Sequence, residues 1–112
     1  MNKFELFTMI FYALDLYYDD NPTEELGRFL SEMSPFTFKQ IGSADPAVYK
    51  KFCDFIGDEK ITIENSYEKA QRYIEYIDDL DLKIPFMNIK EDKWVKGCEG
   101  YLASDHKGAG IK

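Results

Sequence analysis

Residues 21–57 read NPTEELGRFLSEMSPFTFKQIGSADPAVYKKFCDFIG, and three polar–proline pairs punctuate them: Asn21-Pro22, Ser34-Pro35 and Asp45-Pro46. Asn, Ser and Asp side chains accept a hydrogen bond from an orphan N–H at a helix start. Proline suits the next position, where its missing N–H has no intrahelical partner anyway. The stretch therefore predicts short helices with defined starts. One begins at Asn21-Pro22, with Glu24 at the capping-box position and Leu26, Phe29, Leu30 and Met33 inward. Gly27 inside it costs about 1 kcal/mol relative to Ala, which predicts that a neighbouring element approaches closely there. Ser34-Pro35 opens a short helical turn or an irregular aromatic segment that Gly42 closes. Asp45-Pro46 opens a further helix with Val48, Phe52, Phe55 and Ile56 at core spacing and Gly57 as its C-cap.

Working outward, residues 3–19 form one helix with two adjoining apolar stripes. Phe4, Phe7, Phe11, Leu14 and Tyr18 make the first, and Leu6, Ile10, Ala13 and Tyr17 the second. Together they cover more than half the circumference, as expected of a central helix. The narrow polar face holds Glu5, Thr8, Tyr12, Asp15 and Asp19. The run Asp58–Ile63 is either a loop with one extended stretch or the lead-in to the next helix. Asn65 with Glu68 signals a helix over 66–80, with Tyr67, Ala70, Ile74, Ile77 and Leu80 inward and Glu68, Arg72 and Glu75 outward. Pro85 breaks any continuation, and Asn88 with Glu91 starts a last helix striped by Trp94, Cys98, Tyr101 and Leu102. Residues 104–112 lack a core pattern and are expected to fray. With no low-complexity linker, residues 1–112 read as one all-α domain, a bundle of five to six mostly short helices.

A chain of 112 residues hides roughly 65% of its unfolded surface, enough for a core without metal or disulfides. Cys53 and Cys98 stand far apart in no metal or redox pattern, which fits a reducing compartment. Leu6–Leu14 is too short to span a bilayer, and Glu5 and Asp15 interrupt the apolar N-terminus. The expected location is the cytoplasm, with no membrane partner. The net charge of −7 makes direct nucleic-acid binding a poor fit and a basic protein a better one.

Residues that could carry chemistry are sparse. His106, the single histidine, lies in the tail, and no catalytic triad order, phosphate loop or dinucleotide fingerprint occurs. Carboxylates are the plentiful reactive groups. Between Lys3 and Arg28 there are six acids and no base, and Asp78, Asp79 and Asp81 form a second cluster. Neither has the spacing of a calcium loop, so neither catalytic, metal nor cofactor-binding residues are assigned. The candidate partner surface is Asp15, Asp19, Asp20, Glu24 and Glu25, with Asp78, Asp79 and Asp81 as a second patch. Tyr12 and Tyr18 are added as nearby aromatics of the kind interfaces favour.

Glu25-Leu26-Gly27-Arg28-Phe29-Leu30-Ser31-Glu32-Met33, followed by Gly42-Ser43-Ala44-Asp45-Pro46-Ala47, resembles small helical immunity proteins of contact-dependent growth inhibition and related polymorphic toxin systems. Residues 61–76, with Thr62, Tyr67, Ala70 and Ile74, resemble that family's next helix. The resemblance covers residues 8–80 and departs at Phe36-Thr37-Phe38 and after Leu82. It implies a cytoplasmic, non-enzymatic protein that binds and neutralises a cognate toxin domain, with many such toxins being basic nucleases, some acting on tRNA. It also implies that Gly27, Gly42, Asp45 and Pro46 are framework and that partner contacts lie on the acidic surface. Two other readings compete. An acidic adaptor would use the same fold with a non-toxin partner, and a carboxylate–metal enzyme would need acids converging in a cleft.

Overall fold

The computed structural model describes residues 2–20, 22–34, 43–77 and 90–103, with the backbone alone at 17. Among these the chain is all helical: α1 Lys3–Asp20, α2 Glu24–Met33, α3 Pro46–Ile56, α4 Ile63–Tyr76 and α5 Glu91–Ala103. The segments expected around Phe36–Gly42, Asp78–Asn88 and 104–112 lie outside the described residues.

Local hydrogen bonds set most helix starts. Asp45 is the N-cap of α3, its Oδ1 accepting from the Ala47 N–H at 3.1 Å, and Pro46 follows at the first helical position, as the sequence predicts. Gly57 ends α3 at φ 67°, a backbone conformation that favours glycine, and its N–H returns to the Cys53 carbonyl at 2.9 Å. The two other polar–proline pairs behave differently. Thr23, not Asn21, caps α2, and its hydroxyl accepts from the Leu26 N–H at 3.2 Å. Pro22 thus precedes the cap. The later start makes Glu24 and Glu25 the first two helical residues, where the helix dipole favours carboxylates. Ser34 is the C-cap of α2 and marks an end where the sequence suggests a start.

The α4 boundary also moves. Thr62 is its N-cap and Asn65 the third helical residue. Asn65 N–H donates to Thr62 Oγ1 at 3.1 Å while Thr62 N–H donates to Asn65 Oδ1 at 2.9 Å. The expected cap is instead the return half of a capping box, so the helix starts earlier than 66. Asp58–Thr62 is the lead-in, with Ile61 buried. A similar exchange opens α1, between Asn2 and Glu5 at 2.8 and 2.7 Å.

The helix α1 is central. It packs against each of the other four, while α2, α3, α4 and α5 follow one another around it, each touching the next. Leu6, Phe7, Ile10 and Leu14 are fully buried. Around them a ladder of rings crosses from α1 through α3 to α4: Phe7 to Phe52 at 5.1 Å, Phe52 to Tyr73 at 4.8 Å, and Phe55 to Tyr76 at 4.7 Å. Each such side chain contributes about 1.5–3 kcal/mol by leaving water. Thr8 corrects the expected polar face: it is fully buried, its hydroxyl donating to the Phe4 carbonyl at 2.9 Å. That bond within its own helix lets a small polar residue enter the seam beneath α5. The Cα radius of gyration, 13.0 Å, equals what a compact chain of this length adopts, about 13 Å.

The turn before α3 fastens two helices together. Ala44 N–H donates to the Ser34 carbonyl and Asp45 N–H to the Glu32 carbonyl, both at 2.9 Å. These are carbonyls that the end of α2 would otherwise leave unpaired. Buried Ser43 donates to the Asp45 carbonyl and accepts from Tyr49 N–H at 3.0 Å. Every polar group of the turn named here is thus engaged in building the α2–α3 corner.

Candidate protein-binding surface

The end of α1 and the start of α2 carry Asp15, Asp19, Asp20, Glu24 and Glu25, and all five are exposed. Among the described residues the ion pairs are Lys69–Glu59, at 3.3 Å, and Arg72–Glu68, so none of the five is neutralised by a base. Asp15 and Asp19 are one turn apart on α1. The last turn of α1 holds no basic residue. Asp19 and Asp20 therefore sit at the negative end of the helix dipole, where an acid is unfavourable by roughly 0.3–1 kcal/mol. Leu16, 68% exposed, stands among these acids and presents an apolar side chain to solvent. Its helical neighbours gave no reason to single it out in the sequence.

The two aromatics added to this surface are half-buried and engaged inward. Tyr12 meets Tyr101 edge-on at 5.9 Å, and burial raises its pKa. Tyr18 lies over Gly27, where an added Cβ would stand 2.9 Å from its hydroxyl oxygen. Gly27 is the close approach the sequence predicts, with Tyr18 as the element that approaches. Tyr18 therefore joins α1 to α2 at the acidic corner, while Tyr12 joins α1 to α5. Asp78, Asp79 and Asp81 lie outside the described residues.

Other reactive groups are tied into the core. Cys98 is buried, and burial raises its pKa first, with Glu99 adding to the effect and the Ser66 hydrogen bond opposing it. A thiol so held is a poor nucleophile. Lys69 is buried along its side chain and reaches Glu59, which ties the α3–α4 connection to α4. No group of three or more His, Cys, Asp or Glu among the described residues is placed to hold a metal ion. No helix among them is long and apolar enough to cross a membrane.

A second surface feature was not evident in the sequence. A groove of about 490 Å³ runs between α2, α3 and the end of α4. Glu25, Arg28 and Glu32 form its α2 wall and Lys51 stands opposite, while Phe29, Tyr76 and Ile77 provide its apolar surface. No single helix encodes it, because its lining comes from three elements separated in sequence that come together only in the packed fold. Comparison with protein-family models, curated proteins and solved structures gave no match for the chain.

Proposed function

We propose that this chain is an immunity protein of the contact-dependent growth inhibition type, which neutralises a basic nuclease toxin domain by binding it. The acidic corner of Asp15, Asp19, Asp20, Glu24 and Glu25 faces the toxin's cationic surface and occupies the path its nucleic acid, such as a tRNA, would take. The role is binding, with no chemical step, and it is exercised in the cytoplasm of the producing cell.

The observation that supports this most is the placement of Asp19 and Asp20. Unpaired acids on the negative end of α1 repel one another and oppose the helix dipole. Their position costs the fold stability, which is the pattern expected where a surface is kept for a partner. Leu16 adds an apolar contact within the charged field. Long-range attraction from such a cluster accelerates encounter with a basic partner and weakens with salt.

The test is co-expression with the toxin domain encoded beside this gene. Cells should survive, and the two proteins should purify as a one-to-one complex whose association slows as salt rises. Equal killing with and without this chain would remove the toxin reading. A stable complex with some other, non-toxic neighbour would instead favour the adaptor.

A further inference from the structure

The groove between α2, α3 and α4 differs in character from the acidic corner beside it. In a chain of net charge −7, its charged lining is balanced: Glu25 and Glu32 against Arg28 and Lys51. Among the described residues none of these four takes part in an ion pair. Arg28 lies three residues after Glu25 and four before Glu32, so it can pair along its own helix when water leaves. A closed groove therefore strands no net charge, and drying it is far less costly than drying the acidic corner.

Its aromatic rim is also preorganised. Tyr76 is 55% exposed, yet its ring lies against Phe55 at 4.7 Å with an interplanar angle of 31°, and Phe55 packs on buried Tyr73 at 5.9 Å. Tyrosines exposed but held in place recur as binding hot spots, because little side-chain freedom is left to lose. Phe29 and Ile77 are half-buried against the core and form the apolar floor. The volume of about 490 Å³ is within the range of small-ligand pockets and admits a large side chain together with the backbone that carries it. Glu25 belongs both to the groove wall and to the acidic run, so the two surfaces adjoin.

We infer that the groove is the anchor pocket of the partner interface: it takes a large uncharged side chain, aromatic or branched aliphatic, from a basic protein whose Lys and Arg residues flank that anchor and face Asp15–Glu25. This rests on the reading that the partner is a basic protein, and it does not require that protein to be a toxin. Charge divides the labour. The corner draws the partner in, and the neutral groove supplies the dry contact that holds it, which separates association from dissociation.

The experiment is an amide-shift titration of the isotopically labelled full chain with three blocked tripeptides, Lys-Trp-Lys, Lys-Ala-Lys and Glu-Trp-Glu. Lys-Trp-Lys should shift the amides of Phe29, Lys51, Tyr76 and Ile77 together with those of the acidic corner. Replacing its Trp by Ala should weaken binding about tenfold or more, and replacing both Lys by Glu should weaken it about fivefold or more. Tyr76→Ala should abolish the shifts of Phe29, Lys51 and Ile77 and leave those of Asp15, Asp19 and Asp20. Lys51→Trp, at an exposed position where added bulk fills the groove, should do the same and serves if Tyr76→Ala does not fold. Shifts confined to the corner, or equal binding of Glu-Trp-Glu, would overturn the inference. Since no toxin enters this titration, its failure and a failure of toxin neutralisation are separate results.

Discussion

Ser66 shows how much one small side chain can hold. Its hydroxyl donates to the Ile63 carbonyl at 2.8 Å, accepts from Trp94 Nε1 at 2.8 Å and lies 3.9 Å from the Cys98 sulfur. It is the polar centre of the seam between α4 and α5. Removing it leaves a buried indole N–H without this acceptor, so Ser66→Ala should cost about 1–3 kcal/mol in urea denaturation. In a Trp94→Phe background the same change should cost less than about 1 kcal/mol, because no donor is stranded. Equal costs in both backgrounds would show that the hydroxyl's bond to Trp94 is not what matters. Gly27 makes a complementary case. Alanine there gains about 1 kcal/mol of helix propensity but meets the Tyr18 ring, with atoms at 2.9, 3.1 and 3.2 Å. Gly27→Ala should gain that full amount only when Tyr18 is also truncated, which a double-mutant cycle measures directly.

At the scale of elements, substitutions at helix ends test stability apart from the proposed binding role. Thr62 and Asn65 share two reciprocal hydrogen bonds at the start of α4, so Thr62→Ala should lower stability by about 1 kcal/mol without touching the acidic corner. If the chain acts as the proposed immunity protein, toxin protection should survive it. Asp19→Lys combined with Asp20→Lys should act in the opposite sense. Cations at the end of α1 meet the dipole favourably, so the melting temperature should rise while association with a basic partner slows and loses its salt dependence. If both stability and association fall, the two aspartates are structural. Much of this layer is legible in the sequence. Asp45-Pro46 and Gly57 act through hydrogen bonds to residues two to four positions away, and such bonds need nothing distant to form. The errors have the same local origin. Asn21 and Asn65 are good caps, but Thr23 and Thr62 also qualify, and a short pattern match does not rank neighbours.

For the whole molecule, the abundance of aromatics has a consequence for alkaline stability. Burial raises the pKa of Tyr49 and Tyr73 well above the usual tyrosine value, and pushes Tyr101 up to about 12, opposed by its hydrogen bond with Thr8. The unfolded chain releases these protons near pH 10, whereas the folded chain retains them to higher pH. Between those values the unfolded state binds fewer protons, so raising pH favours unfolding. Stability should be intact below about pH 10 and fall progressively above it. Urea midpoints measured across that range, with tyrosinate absorbance followed in parallel, should show ionisation accompanying unfolding. A midpoint that stays constant as the tyrosines ionise would contradict the buried ladder.

The sequence by itself determined the all-helical class, the central position of α1, the start and end of α3 and the acidic run without a base before Arg28. Each depends on periodicity, on composition or on bonds spanning a few residues. Only the tertiary structure decided that Thr8 is buried, that Tyr12 and Tyr18 turn inward, and that Arg28, Lys51 and Tyr76 meet around one groove. Those outcomes depend on pairs such as Tyr12 with Tyr101 and α2 with the end of α4, whose separation in the chain leaves no mark in local pattern. Burial is settled by what packs opposite, and a groove belongs to no single helix.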